Sequence, residues 1–266
     1  MAQSTKDVLS TMLAATASAR TAYATAKTER GLNRVPGSAR DLVQAVERRL
    51  AEVESLMQSA GASVPSIMSN VRVYPEGRKA AAQAAVANVE RDIAEKTAAA
   101  EEAIIAARGV LTAAALRRID PKREALARQD AMMILDRADP RTRAEVMSRL
   151  AARQDDVGAL VASEWGRDYL TATGEPAPLV EASHTLTVRA AIEAAAAQDI
   201  DAERREAALH LDTLDNLHGV RDSVTLGARE VIESLRSEYD LSSEPRDDVS
   251  EDDVKAMGGE PAPMQF

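Results

Sequence analysis

The residues with the widest chemical range in this chain are its three histidines, His184, His210 and His218. His210 and His218 are eight positions apart, near Asp212, Asp215 and Asn216, so donors suited to a metal are close at hand in the sequence. Helical ligands ordinarily stand three or four positions apart, and neither His-Glu-x-x-His nor a paired Glu-x-x-His occurs. The pattern reads as exposed polar histidines, not as a metal centre. Asp120 and Asp139 are a second candidate, since two carboxylates can share acid–base work. Each stands before a proline, in Asp120-Pro121-Lys122-Arg123-Glu124 and Asp139-Pro140-Arg141-Thr142-Arg143, and each precedes an apolar stripe. Helix capping accounts for both: Asp at the N-cap accepts backbone N–H groups, and Pro at the first helical position has its φ already set. Asp247, Asp248, Asp252 and Asp253 lack the glycine turn and closing glutamate of a calcium loop and read as a solvated charge run. Neither Gly-x-x-x-x-Gly-Lys nor Gly-x-Gly-x-x-Gly occurs, and the basic pairs Arg117-Arg118, Lys122-Arg123 and Arg204-Arg205 are interspersed with acids. No catalytic residue, cofactor site or metal site is assigned, and the chain reads as a non-enzyme.

The elements that would position any site are helical. Helix formers dominate and aromatics are 2% of the chain, so the expected class is all-α, an elongated, coiled-coil-like bundle with two long alanine-rich helices. The central element is a rod over 76–118, opened by Pro75-Glu76 and closed near Arg117 and Arg118. Val86, Val89, Ile93, Ile104 and Leu111 mark its buried face, and Ala100 and Ala107 stand where a coiled coil would carry Leu. A shallow seam buries little area per residue, so the rod needs several neighbours.

Ahead of it, Ser4 caps a helix over 4–30 with Val8, Met12, Ala15, Ala19 and Ala22 on one face. A second helix begins at Ser38 and carries Leu42, Val46, Leu50, Val53 and Met57. Residues 60–75, with Gly61, Pro65 and Pro75, read as a loop with one turn, or with Val71-Arg72-Val73-Tyr74 as a short extended segment before Pro75. After the rod, the two Asp-Pro starts predict one helix with Leu126, Met133 and Leu135 and another with Val146, Leu150, Val157 and Leu160 running to Tyr169. Trp165 and Tyr169 lie one turn apart, as core anchors or as a partner surface. Gly174-Glu175-Pro176-Ala177-Pro178 marks a boundary between a helical region 1–174 and a second region 179–240. There a long helix from Glu181 to Leu217 carries Leu186, Ile192, Ile200, Leu211 and Leu214, Gly219 ends it, and a last helix runs from Asp222 to Tyr239.

Residues 241–266 carry seven acids against Arg246 and Lys255, half of the chain's net charge of −10, and read as a disordered acidic tail whose Phe266 can dock a partner. The overall charge opposes nonspecific nucleic-acid binding, and no stretch has the apolar length to cross a bilayer. The absence of cysteine excludes disulfides and fits a reducing compartment. In composition and helical habit the chain resembles bacteriophage scaffolding and internal virion proteins. That resemblance implies a structural protein that self-associates into a homo-oligomer, docks other structural proteins through Asp247, Asp248, Asp252, Asp253 and Phe266, and is virion-associated or cytoplasmic. Its alanine-rich helices also resemble those of phasins, which implies, as the alternative, an amphipathic coat on granules or membranes.

Overall fold

A computed structural model describes residues 4–29, 37–197 and 201–241, and every regular element among them is an α-helix. Three long helices come first, α1 (Thr5–Glu29), α2 (Gly37–Ser69) and α3 (Pro75–Ala115). Five shorter ones follow: α4 (Glu124–Leu135), α5 (Arg143–Ala151), α6 (Asp156–Val161), α7 (Glu164–Ala172) and α8 (Ala177–Ala197). The last is α9 (Ala202–Glu238).

Helices α1, α2, α3 and α9 form an antiparallel four-helix bundle. Along α3 and α9 the pairs run Lys79–Asp240, Glu90–Arg236, Glu101–Arg221 and Arg108–Asp215, one number rising as the other falls. Arg20–Glu54 ties α1 to α2, Lys96–Glu52 ties α2 to α3, and the Thr5 N–H donates to Glu238 Oε2 at 2.7 Å to join α1 to α9. The core lies on the axis. The rod buries Val86, Ile93, Ile104 and Leu111 together with Ala100 and Ala107, so the alanine seam is a true core face, and Val89 is half-buried beside it. Leu50 and Met57 of α2 and Leu214 and Leu235 of α9 fill the space that the small seam leaves.

Helices α4 to α7 and the first turns of α8 form a head with its own apolar cluster, inserted between α3 and α9. The junction is polar. Arg117 donates to the carbonyl of Gln154 at 3.1 Å and to Asp156 at 3.0 Å. Gln154, at φ 56°, donates to the carbonyl of Ala191 at 2.7 Å and accepts from Arg204, whose Nε donates to the carbonyl of Ala115.

Five sequence expectations need correction. Residues 60–69 are helical, because α2 runs through Pro65 to Ser69. Val64 is fully buried and Ile67 and Met68 pack on the bundle, and this burial offsets a helical proline that costs about 3 kcal/mol. Asp120 and Asp139 each cap a single turn that precedes the helix. Their Oδ1 atoms accept from the N–H of Lys122 (3.0 Å) and Arg141 (2.8 Å), and α4 and α5 begin a few residues later. The helix expected to reach Tyr169 is three helices, interrupted where Asp155 caps α6 through the Gly158 N–H and Ser163 caps α7 through the Trp165 N–H. The run Glu181–Leu217 is divided between α8 and α9, with Asp201 accepting from the N–H groups of Glu203 and Arg204, and α9 continues through Gly219. In α1 the inward positions are Thr5, Thr16 and Tyr23, with Val8, Leu9 and Met12 partly covered, while Ala15 and Ala22 face outward.

Candidate functional site

The aromatic pair of the head is built by α7. Ser163 starts the helix and its carbonyl accepts from Nε2 of His184 on α8 at 3.0 Å, so α7 and α8 are held together. One turn then separates Trp165 from Tyr169, whose rings stack with centroids 5.4 Å apart. Both are half-buried against the head cluster. The Tyr169 hydroxyl donates to Asp136 Oδ1 at 2.7 Å, and the guanidinium of Arg143, itself buried and paired with Glu175 at 3.3 Å, lies 6.0 Å from the Tyr169 ring centre. Burial, and then the bond to the Asp136 carboxylate, push the Tyr169 phenol up to about 12. The pair therefore holds the α4–α5 turn against α7, and each polar atom of Tyr169 is used within the head.

The histidines do not meet. His184 is spent on the carbonyl of Ser163, and His210 is buried inside the bundle rather than exposed. His218 is half-buried between α3 and α9, where its Nε2 accepts from Arg221 Nη2 at 2.8 Å. Arg221 in turn reaches Glu101 and Asp222, each at 3.1 Å. Among the described residues no group of three or more acidic or histidine side chains is placed to hold a metal. A groove of about 560 Å³ along α1 is lined by Ser18, Thr21, Ala22, Thr25 and Ala26, none of which ionises. A second, of about 460 Å³ between α2 and α3, contains Glu52, Asp92, Glu95 and Lys96, and there Lys96 already pairs with Glu52 at 3.0 Å.

What the sequence reading missed lies on α4. Leu126 and Met133 were expected on the buried stripe, but α4 buries Ala127, Ala131 and Leu135 and leaves Leu126, Met132 and Met133 about half exposed. The spacing does not decide between the two faces, since Ala127, Ala131 and Leu135 follow one another at four-residue intervals while Leu126 and Met133 also share a face. A short helix turns its alanines inward because α6 approaches it closely, and its long side chains are left outside. Leu186 of α8, expected inside, is likewise exposed beside Leu179, and Ile105 stands out from the rod. At the opposite end of the bundle, the α2–α3 turn exposes Val71 and Tyr74.

Asp247, Asp248, Asp252, Asp253 and Phe266 lie outside the described residues. Among the described residues no helix is long and apolar enough to cross a membrane. No protein-family model matches the chain, and no curated protein or solved structure matches it.

Proposed function

We propose that the protein is a non-enzymatic assembly component that self-associates through apolar helix faces left outside its own bundle and docks other structural proteins, as a capsid scaffold or an internal virion component does. The observation that carries this reading is the uncovered apolar surface: Ile105 on the rod, Leu126, Met132 and Met133 on α4, and Leu179 and Leu186 on α8. Exposed apolar side chains grouped on helix faces mark association surfaces, and methionine suits a surface that must adapt to its partner. Tyr169 with Asp136, Arg143 with Glu175 and Arg221 with Glu101 are, by contrast, engaged with one another. Light-scattering mass during size exclusion tests the reading. An oligomer that persists on dilution is expected, and a compact monomer at every concentration refutes self-assembly. Co-sedimentation with lipid vesicles in place of self-association would favour the coat reading instead.

A further inference from the structure

The two most exposed large apolar side chains among the described residues share one turn, between α2 and α3. Val71 is 88% exposed and Tyr74 81%, against 61% for Ile105, the next, and Val73 stands between them at 42%. Hydrogen bonds fix the turn. Asn70 Oδ1 accepts from the N–H of Arg72 at 3.1 Å, the Asn70 carbonyl accepts from the N–H of Val73, and Arg78 donates to the carbonyl of Met68 at 2.9 Å, which ties the first turn of α3 to the end of α2. Val73 lies over Gly77, where an added Cβ would meet its Cγ1 at 3.1 Å. Val71 and Tyr74 are thus held outward on an ordered backbone, so a segment that covers them has no turn to order first.

The chain leaves the bundle at this same end. Leu241 is buried in the bundle core, and Asp240 pairs at 2.7 Å with Lys79, one turn past the start of α3. The other exposed apolar side chains of the bundle stand farther off: Leu226 is twelve residues, about 18 Å, back from the end of α9, and Ile105 is thirty residues along α3. Beyond Leu241 the sequence continues to Pro261-Ala262-Pro263-Met264-Gln265-Phe266, a segment without a charged side chain that includes the chain's only Phe. From Leu241 to Met264 an extended chain spans up to about 75 Å, so the turn is within its reach. Tethering makes such a contact intramolecular, and its effective concentration falls with the distance to be spanned, which favours the surface at the exit. Arg72, Arg78 and Lys79 stand at this end with Glu76, Glu238 and Asp240, so the charges balance and the apolar side chains decide what binds.

We infer that residues 261–266 dock on the α2–α3 turn of their own chain, with Met264 and Phe266 against Val71 and Tyr74. The contact does not depend on self-association. It covers the apolar end of the bundle and keeps that end from other copies.

The chain has no cysteine, so an introduced pair reports the contact through disulfide formation. Arg72→Cys with Gln265→Cys in the full chain keeps all the apolar side chains of the contact. Lys6→Cys with Gln265→Cys puts the second thiol at the same end of the bundle, on the first turn of α1, where Thr5 meets Glu238. Circular dichroism checks that each variant remains helical, and each rate is divided by that of the single-cysteine forms with the same oxidant. The Arg72 pair is expected to close at least about tenfold faster than the Lys6 pair, at a rate independent of protein concentration. Tyr74→Ser or Phe266→Ser is expected to remove most of that advantage, and added salt to leave it in place, because screening acts on charges and not on apolar contacts. Equal rates in the two pairs, an advantage that survives both serine substitutions, or one that salt abolishes overturns the inference. Disulfides that form between chains and quicken with concentration assign the turn to a second copy and overturn it as well.

Discussion

Gly166 permits the closest approach in the head, and replacing it tests how that packing is built. A Cβ added there would lie 2.0 Å from the carbonyl oxygen of Val161, 2.9 Å from its carbonyl carbon and 3.2 Å from Cε of Met147. Ordinary contacts between such atoms are about 3.5 Å, so α7 must withdraw by more than 1 Å, and a gap of that size forfeits up to about half of each contact along the interface. Overpacking of this kind costs about 3 kcal/mol, and the better helix propensity of alanine returns about 1, leaving Gly166→Ala about 2 kcal/mol less stable. The assay is urea unfolding followed by fluorescence of Trp165, the chain's only tryptophan and the neighbour of Gly166. With a denaturant slope of about 2 kcal/mol per molar urea, the midpoint falls by about 1 M. Gly109→Ala and Gly219→Ala serve as controls, because a Cβ at either glycine meets nothing within 4 Å and both lie inside long helices. Each control gains up to about 1 kcal/mol by circular dichroism. If Gly166→Ala unfolds at or above the parent's midpoint, the reasoning about the α6–α7 contact is wrong.

Leu214→Ala empties a fully enclosed site in the bundle and costs about 3 kcal/mol in chemical unfolding, whereas Leu126→Ala on the outward face of α4 changes stability by less than about 0.5 kcal/mol. Arg143→Ala leaves the carboxylate of Glu175 without its partner in a largely enclosed place and destabilises the head by about 2 kcal/mol, read by Trp165 fluorescence. Because the folded head raises Tyr169 from 10.0 to about 12, its contribution is complete below pH 10 and is lost as pH rises from 10 towards 12. Thermal unfolding across that range should show the loss in the parent and less of it in Tyr169→Phe. Glu238 is held below the ordinary carboxylate range by the hydroxyl and N–H of Thr5, so its contribution is present above pH 4.5 and disappears as pH falls through the lowered value. Amide exchange in the first turn of α1 should quicken there, and Glu238→Gln should quicken it at neutral pH.

How much was legible depended on the length of each helix and on how many sides it buries. The α3 seam could be read because 41 residues repeat one face many times, and Ala100 and Ala107 fall on the stripe set by Val86, Ile93, Ile104 and Leu111. The stripes of α2 and α9 were readable for the same reason, with Leu50, Met57, Leu214 and Leu235 inside. In the head the signal failed. α4 has twelve residues with apolar side chains all round, so periodicity does not say whether Leu126 and Met133 or Ala127 and Ala131 face inward.

By itself, then, the sequence determined the helical class, the rod and its alanine face, and the concentration of acid in residues 241–266, because propensity, long-range periodicity and charge are local or additive properties. Only the tertiary structure decided that α2 continues through Pro65, that the chain between Thr142 and Thr173 folds as three helices, and which face of α4 is covered. Those choices turn on burial offsetting a local cost and on helices approaching at Gly158 and Gly166 as closely as a missing Cβ allows, and neither quantity exists until the neighbouring helices are in place.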